Sequence, residues 1–174
     1  MKMIDIYLEK VITQAENMIW DGDHFEGKDM LENVLTYEPG YAKVHNLLGW
    51  LHLYYIEDDE LAEKHLKLAV KFEPNWKVPY IHLTTLYMRN ENFDKLGEVM
   101  MKAREIEGIS KALVFERLAM VEEAKRRYTA AIRLYKTAIF HSMDNDAIEE
   151  MRSNIKRCRF KRLRFVRQKW QRQK

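Results

Sequence analysis

The sequence predicts an all-α fold built from repeated helical hairpins, and three observations support this prediction. The chain has 174 residues with only 6 Gly and 3 Pro, so few residues interrupt helices. Strong helix formers such as Leu, Glu, Lys, Ala and Met are abundant. Small or apolar residues recur at intervals of 34 or 35 residues, and a period of this length is typical of stacked helical repeats.

Two series of equivalent positions define the repeat. The second helix of each period carries a small or apolar residue at Gly27, Ala62, Leu96 and Ala131. The first helix does the same at Ala15, Gly49, Thr84 and Ala119. The two series are out of step by one residue between Gly49 and Ala62. This offset predicts a one-residue insertion in the turn at residues 56–60.

Each period contains two predicted amphipathic helices, because apolar residues in both halves follow i, i+3, i+4 and i+7 spacing. Small residues at equivalent positions would let the two helix axes approach to about 8–10 Å. Polar turns separate the two helices at residues 21–23, 57–59, 90–92 and 125–127. Pro39, Pro74 and Gly108 follow the second helix. The predicted repeats therefore cover residues 8–41, 42–76, 77–110 and 112–145.

The periodic residues resemble the tetratricopeptide repeat (TPR) family, whose pattern has Leu-Gly and Tyr in the first helix, Ala in the second and Pro at the end. The matching residues are Leu48, Gly49, Ala62, Ala69, Pro74, Tyr80, Leu83, Tyr87, Phe93, Ala103, Tyr128, Ala131, Tyr135 and Ala138. The resemblance covers residues 8–143. It implies a right-handed α-α superhelix of about four hairpins, with residues 1–143 forming the TPR array.

Residues 144–174 are predicted to form one long helix that caps the array. Ile148, Met151, Ile155 and Cys158 form an apolar stripe for packing on the fourth repeat, and Asn145 or Asp146 is the expected N-cap. The end of this helix is strongly basic: residues 156–174 carry a formal charge of +10, against −7 for residues 1–155. The candidate basic residues are Lys156, Arg157, Arg159, Lys161, Arg162, Arg164, Arg167 and Lys169.

The basic end has several interpretations that the sequence leaves open. Phe160, Leu163, Val166 and Trp170 recur every third or fourth residue among the cations, which is typical of a basic amphipathic helix. Such a helix could bind nucleic acid, an anionic surface or an acidic partner, or pair with a second copy of the chain. It could also be a solvated terminus whose charge balances the acidic body.

Signatures of catalysis and of metal binding are missing from the sequence. It has no Gly-rich phosphate loop, no Gly-x-Ser-x-Gly and no His-Glu-x-x-His motif. Cys158 is the only cysteine, and the six histidines do not follow a ligand spacing. We therefore expect a non-enzymatic protein without a cofactor or metal. Because no apolar stretch resembles a secretion signal or a membrane span, we expect a cytoplasmic location.

The TPR resemblance implies a concave groove lined by the first helix of each repeat. Its candidate residues are Ile12, Glu16, Trp20, Asn46, Trp50, Tyr54, Ile81, Thr85, Met88 and Arg89. This set is more aromatic and apolar than a solvated surface requires. The leading hypothesis is an adaptor that binds a peptide or helix of another protein in this groove. The alternative is that the aromatic residues only fill an inner bend of the superhelix.

One specialised mode of peptide binding is disfavoured. Some TPR proteins hold a peptide's terminal carboxylate with Lys, Asn and Arg side chains, and only Asn46 and Lys77 match that set here. Glu16 would repel an incoming carboxylate. We therefore do not expect a carboxylate clamp.

Overall fold

The structure is a computed structural model that describes the backbone of residues 3–171 and the side chains of residues 6–164. These residues form helices and no strands, which confirms the predicted all-α class. A π-helical turn, His52–Ile56, directly follows the third helix. The α-helices of the described residues are α1 Met3–Asp21, α2 His24–Tyr37, α3 Ala42–Leu51, α4 Asp59–Phe72, α5 Lys77–Arg89, α6 Phe93–Ala103, α7 Lys111–Ala124, α8 Tyr128–His141 and α9 Asn145–Gln171. None of these described helices has the length and apolar character needed to cross a membrane.

The chain divides into two compact units, Met1–Leu86 and Tyr87–Lys174, and the division falls within α5. In the first unit α1 packs on α2, α2 on α3, and α3 on α4. Its core is continuous across the first two hairpins, since one cluster joins Leu8 and Ile19 of α1, Leu31 of α2, and Leu48 and Leu51 of α3. Neither hairpin could bury this apolar surface alone, which is why helical repeats stack.

Small residues at the helix crossings are required by the close approach of the helices in the first unit. A Cβ atom on Gly27 would lie 2.5 Å from Cγ1 of Ile19. A Cβ atom on Gly49 would lie 2.6 Å from Cγ of Leu66 and 3.1 Å from its backbone nitrogen. All three distances are shorter than a normal van der Waals contact.

In the second unit α6 packs on α7, α7 on α8, and α8 on α9. The predicted apolar stripe of α9 is confirmed, because Met151, Ile155 and Cys158 are buried against Ala131 and Tyr135 of α8. The predicted N-cap was wrong. Asp144 caps α9: its Oδ1 accepts hydrogen bonds from the backbone N–H groups at positions 146 (2.9 Å) and 147 (3.2 Å). The separate domain boundary at residues 143 and 144 stays a prediction.

The turns between the two helices of each repeat lie where the sequence predicts them. Each contains one residue with positive φ at an equivalent position of the period, at Gly22 (102°), Glu57 (60°), Glu91 (50°) and Arg126 (58°). A residue of this kind reverses the chain after a helix and allows the last carbonyls to be satisfied. Only the first of the four turns uses glycine, the residue that adopts positive φ without strain.

The one-residue insertion of the second repeat lies in a helix, which corrects the expectation that it lies in the turn. All four turns have the same length after the positive-φ residue, so the extra residue is accommodated before it, in the π-helical turn. In the other three repeats the turn closes with an N–H that donates to the carbonyl five residues earlier. In the second repeat the N–H of Asp58 donates to the carbonyl of His52, six residues earlier, at 3.0 Å. A π turn holds one more residue than an α turn and is frequent at functional sites.

Candidate functional site

Four aromatic residues of the first unit, in ring contact with one another or adjacent in the chain, define a surface that we call the aromatic patch: Trp20, Trp50, Tyr54 and Tyr55. The ring centroids of Trp20 and Trp50 lie 5.2 Å apart, and those of Trp50 and Tyr55 lie 5.0 Å apart. Both distances are in the range of favourable aromatic pairs. Trp20 keeps 70% of its surface exposed, Tyr54 44% and Tyr55 39%. The patch is therefore a large preformed apolar surface that remains accessible.

The π-helical turn positions both tyrosines of the aromatic patch. Tyr55 contacts Trp50 and, at 4.4 Å between ring centroids, His24 at the start of α2. Tyr54 contacts His82 of α5 at 5.7 Å in an edge-to-face arrangement. The two neighbouring tyrosines thus contact different helices. Sequence reasoning missed Tyr55 and His24, although the break in the repeat period at this point was a signal.

Two of the predicted groove residues are not available to a partner. Ile12 is fully buried in the core of the first unit, and Asn46 is buried on α3. Both predictions were wrong. The TPR resemblance assigns these positions of α1 and α3 to the groove, but here they pack against neighbouring helices. Among the described residues, Oδ1 of Asn46 has no hydrogen-bond partner. Burial prevents this amide from hydrogen-bonding to the backbone of a partner.

The remaining predicted groove residues differ in how accessible they are. In the first unit Ile81 and Thr85 are exposed, and the hydroxyl of Thr85 donates to the carbonyl of Ile81 at 3.2 Å. Glu16 is half-buried and lies 3.6 Å from Nζ of Lys43. In the second unit Met88 is half-buried and Arg89 is exposed. A groove continuous through all these residues stays a prediction.

Comparison with known proteins identifies the fold. No family model matches the sequence, and no curated protein matches it. Among solved structures, MamA protein matches with a TM-score of 0.69 at 16% identity over 94% of both chains. PilF of Pseudomonas aeruginosa matches with a TM-score of 0.68 at 14% identity, over 95% of this chain and 73% of PilF. YrrB, described as a TPR protein with an unusual peptide-binding site, matches with a TM-score of 0.65 at 17% identity, over 80% of this chain and 71% of YrrB.

The chain has the TPR fold. The predicted family resemblance is thereby confirmed at the level of architecture. In TPR terms the aromatic patch is built by α1 and α3, the first helices of the first two repeats, and by the π-helical turn that follows α3.

The charge of the chain is divided between its two units. Residues 1–86 contain eight Lys, no Arg and 15 Asp or Glu, for a formal net charge of −7. Residues 87–174 contain 22 Lys or Arg and 12 Asp or Glu, for +10. The turns that carry the aromatic patch contribute to the negative charge. Asp21 follows Trp20 directly, Asp23 precedes His24, and Glu57 follows the π-helical turn; all three acidic residues are exposed.

Two of the predicted basic-tail residues have a structural role in the last TPR repeat. Arg157 donates from Nε and Nη2 to the two carboxylate oxygens of Glu123, each at 2.8 Å, and Nζ of Lys161 lies 2.8 Å from Oε1. Glu123 is only 8% exposed. Burial raises its pKa, but the hydrogen bonds from Arg157 and Lys161 outweigh burial and lower the pKa to about 2. These two cations hold α9 on α7, so the basic end is not solvated at these two residues.

Several other tail residues are exposed. Lys156, Arg159, Arg162 and Arg164 are exposed cations. The guanidinium of Arg164 lies 5.7 Å from the ring centroid of Phe160. The side chains of Arg167 and Lys169 lie outside the described residues.

The apolar side chains of α9 change from buried to exposed after Cys158. Phe160 and Leu163 are each 61% exposed, although they follow the buried stripe of α9 directly. Cys158 is buried, as expected, and burial raises the pKa of its thiol to about 12.

Three histidines form a cluster where α3, the π-helical turn and α4 meet: His45 and His52 are buried, and His65 is half-buried. Nε2 of His45 lies 3.0 Å from the carbonyl of Pro39 and must donate to it, so Nδ1 of a neutral His45 accepts from Nδ1 of His65, also at 3.0 Å. His52 stacks on His65 with ring centroids 6.0 Å apart. Burial lowers the pKa of all three and brings that of His65 to about 4. Within the described part of the chain no group of three ligands is placed to hold a metal ion.

Proposed function

We propose that this protein is a non-enzymatic adaptor that binds a peptide or helix of another protein through the aromatic patch. The observation that carries the proposal is the accessibility of two aromatic side chains: Trp20, which contacts the half-buried Trp50, and Tyr54. Protein–protein interfaces concentrate their binding energy in Trp, Tyr and Arg residues. The TPR fold supports a scaffold role, and the description of YrrB as peptide-binding shows that this fold can hold a peptide.

The mechanism is burial of apolar partner side chains on a surface that is already ordered. Trp20 is held by Trp50, and Tyr54 is held by His82. Because these contacts restrict the rings before binding, less side-chain entropy is lost when a partner docks. Ile81 lies on the helix that carries His82 and could extend the apolar contact. We infer no chemical step in the partner.

Replacing Trp20 and Tyr54 together by Ala tests the proposal. Trp50 is kept because it packs against the core of the first unit, so its removal would disturb folding. The measurement is affinity capture from cells with the wild-type chain and with the double variant. Recovery of the true partners should fall at least about tenfold with the variant, because two central aromatic contacts are lost. Circular dichroism should show unchanged helix content.

The matched control for this experiment is Tyr37→Ala. Tyr37 is an exposed aromatic residue of the same unit, at the end of α2. Its replacement should leave capture unchanged. If every partner is recovered equally with the double variant and with the control, the aromatic patch does not bind partners.

A second candidate function is association of the basic helix with nucleic acid, an anionic surface or an acidic partner. It is favoured by the exposed cations Lys156, Arg159, Arg162 and Arg164 beside Phe160 and Leu163. This binding would weaken steeply with added salt. Replacing the four cations by Gln tests it, because truncation at residue 155 would also remove Arg157 and Cys158 from the packed part of α9. If neither added salt nor the four Gln replacements weaken binding, this function is excluded. The cytoplasmic location stays a prediction.

A further inference from the structure

We propose that this protein self-associates head to tail. The side of α9 that exposes Phe160 and Leu163 in one copy would dock on the aromatic patch of a second copy. The proposal rests on the proposed function of the aromatic patch and names its occupant. It is argued from three features: the charge division between the two units, the apolar residues that α9 exposes, and the acidic residues beside the patch.

The first argument is charge complementarity. The first unit carries −7 and the second +10. Opposite net charges on two parts of one chain attract copies in the orientation that brings unlike units together, and repel the orientations that bring like units together. Head-to-tail contact is thus favoured over a symmetric contact between two basic helices.

The second argument is the composition of the exposed part of α9. The buried stripe of this helix ends at Cys158, and Arg162, the next residue in the same register, is exposed. From there to its end at Gln171 the helix extends about 15 Å. Phe160 and Leu163 are three residues apart, so they lie on one side of the helix and present a single apolar strip. An exposed strip of this kind, flanked by cations, is typical of a helix that docks on another surface.

The third argument is the chemistry of the aromatic patch. Indole and phenol rings attract guanidinium and ammonium groups that lie over their faces. The exposed carboxylates of Asp21, Asp23 and Glu57 adjoin these rings in the chain. A docked α9 would place Phe160 and Leu163 against the rings and its Arg side chains beside the carboxylates. An acidic or purely apolar segment would lack the second of these interactions.

Head-to-tail contact has a distinct consequence for assembly. The two surfaces are different, so a pair of copies keeps one unoccupied aromatic patch and one unoccupied α9. Further copies can add at either end. The average mass should therefore rise continuously with concentration and pass the mass of a dimer.

Mixing two full-length variants tests this geometry. The patch variant carries Trp20→Ala and Tyr54→Ala and keeps its α9; the helix variant carries Phe160→Ala and Leu163→Ala and keeps its patch. Sedimentation equilibrium at concentrations up to on the order of 100 µM, the range of weak complexes, should show the wild type associating and each variant monomeric. An equimolar mixture should form a one-to-one dimer and stop there, because each remaining surface is defective.

The control carries Tyr37→Ala and Phe140→Ala, two exposed aromatic residues outside both surfaces, and should associate like the wild type. Added salt should weaken association, because oppositely charged surfaces are screened. A monomeric wild type, variants that still associate alone, a mixture that stays monomeric, or association that nuclease treatment abolishes would each overturn the proposal. If the wild type is monomeric but patch-dependent capture of another protein persists, only the self-association is wrong. If capture is also independent of the patch, the proposed function fails as well.

Discussion

Gly49 shows how one missing side chain determines the packing of two helices. A Cβ atom there would lie 2.6 Å and 2.8 Å from side-chain atoms of Leu66 and 3.1 Å from its backbone nitrogen. The last contact cannot be relieved by moving a side chain. The helix pair α3 and α4 must then shift apart, and the apolar contacts of the first unit weaken with it.

We predict that Gly49→Ala lowers the free energy of unfolding by about 1–3 kcal/mol through overpacking. The matched control is Gly97→Ala in α6, where the new Cβ would lie 3.5 Å from Val121, an ordinary contact. Ala is the better helix former, so this control should raise stability by about 0.5–1 kcal/mol. Urea unfolding followed by circular dichroism measures both. Equal effects of the two substitutions would show that the close approach at Gly49 is not limiting.

The buried histidines make the stability of the first unit depend on pH. The pKa of His65 is about 4 in the folded chain against an ordinary value of 6.5, because burial and the neighbouring histidines disfavour its charged form. Between these two values the unfolded state binds more protons than the folded state. Stability therefore falls as pH decreases through this window. Lys64 also disfavours the charged form of His65 and His45, whereas Asp58 favours that of His52.

We predict that the urea midpoint of the first unit decreases between pH 6.5 and pH 4, and that His65→Gln makes this decrease smaller. Tryptophan fluorescence can follow the transition, since Trp20, Trp50 and Trp76 lie in the first unit. Glu123 lies in the second unit, and its carboxylate loses its contribution between pH 4.5 and about 2, below most of this window. An identical pH profile in the variant and the wild type would exclude His65 as the sensitive group.

At the scale of elements, α9 is held on the second unit by an apolar stripe and by one buried carboxylate. Glu123 of α7 accepts hydrogen bonds from Arg157 and Lys161 of α9, and the hydroxyl of Tyr135 lies 3.3 Å from its Oε2. A carboxylate that is 8% exposed requires such partners. The arrangement joins three helices of the last repeat and its cap.

We predict that Arg157→Met lowers the free energy of unfolding by about 1–3 kcal/mol, because it removes a two-point hydrogen bond from a buried charge. The pKa of Glu123 should rise, so that acid destabilises the variant at higher pH than the wild type. Arg152→Met is the control on the same helix, since Arg152 pairs with Glu149 at the surface, and should change stability by less than about 0.5 kcal/mol. Thermal unfolding near neutral pH and near pH 4 measures both effects. If the two variants lose equal stability, Glu123 has no special dependence on Arg157.

Local periodicity made the elements predictable, and its limits explain the errors. The four turns and the stripe of α9 were predicted because each depends on residues close in sequence. Ile12 was misassigned because the partner helix, and not the spacing within α1, decides which part of α1 is buried. The contact between Glu123 and Arg157 spans 34 residues and was missed, because spacing within one helix cannot show which cation of the next element reaches a buried acid.

At the scale of the whole molecule, the aromatic patch has two proposed occupants, a partner protein and α9 of a second copy. Two ligands that bind one surface exclude each other, and the exclusion is reciprocal. Self-association would thus reduce the fraction of chains that can bind a partner. The division of charge between the units would then regulate capture as well as assembly.

We predict that the variant with Phe160→Ala and Leu163→Ala captures more partner per chain than the wild type, because its patches are no longer occupied by α9. The excess should grow with protein concentration, since occupancy by second copies grows with it. Quantitative pull-down at two concentrations measures the effect, with the Tyr37→Ala and Phe140→Ala chain as control. Equal capture by variant and wild type at both concentrations would mean that α9 and the partner do not share a surface.

The sequence by itself determined the helices, their pairing into hairpins, the turns and the segregation of charge, because all of these follow from residue type and from a period of 34 or 35 residues. Tertiary structure alone decided which of those residues remain accessible. It buried Ile12 and Asn46, exposed Trp20 beside Trp50, absorbed the inserted residue of the second repeat in a π-helical turn, and used two cations of the tail to neutralise Glu123. The physical reason is that accessibility and pairing depend on neighbouring helices distant in the chain, whose approach is set by packing and not by local spacing.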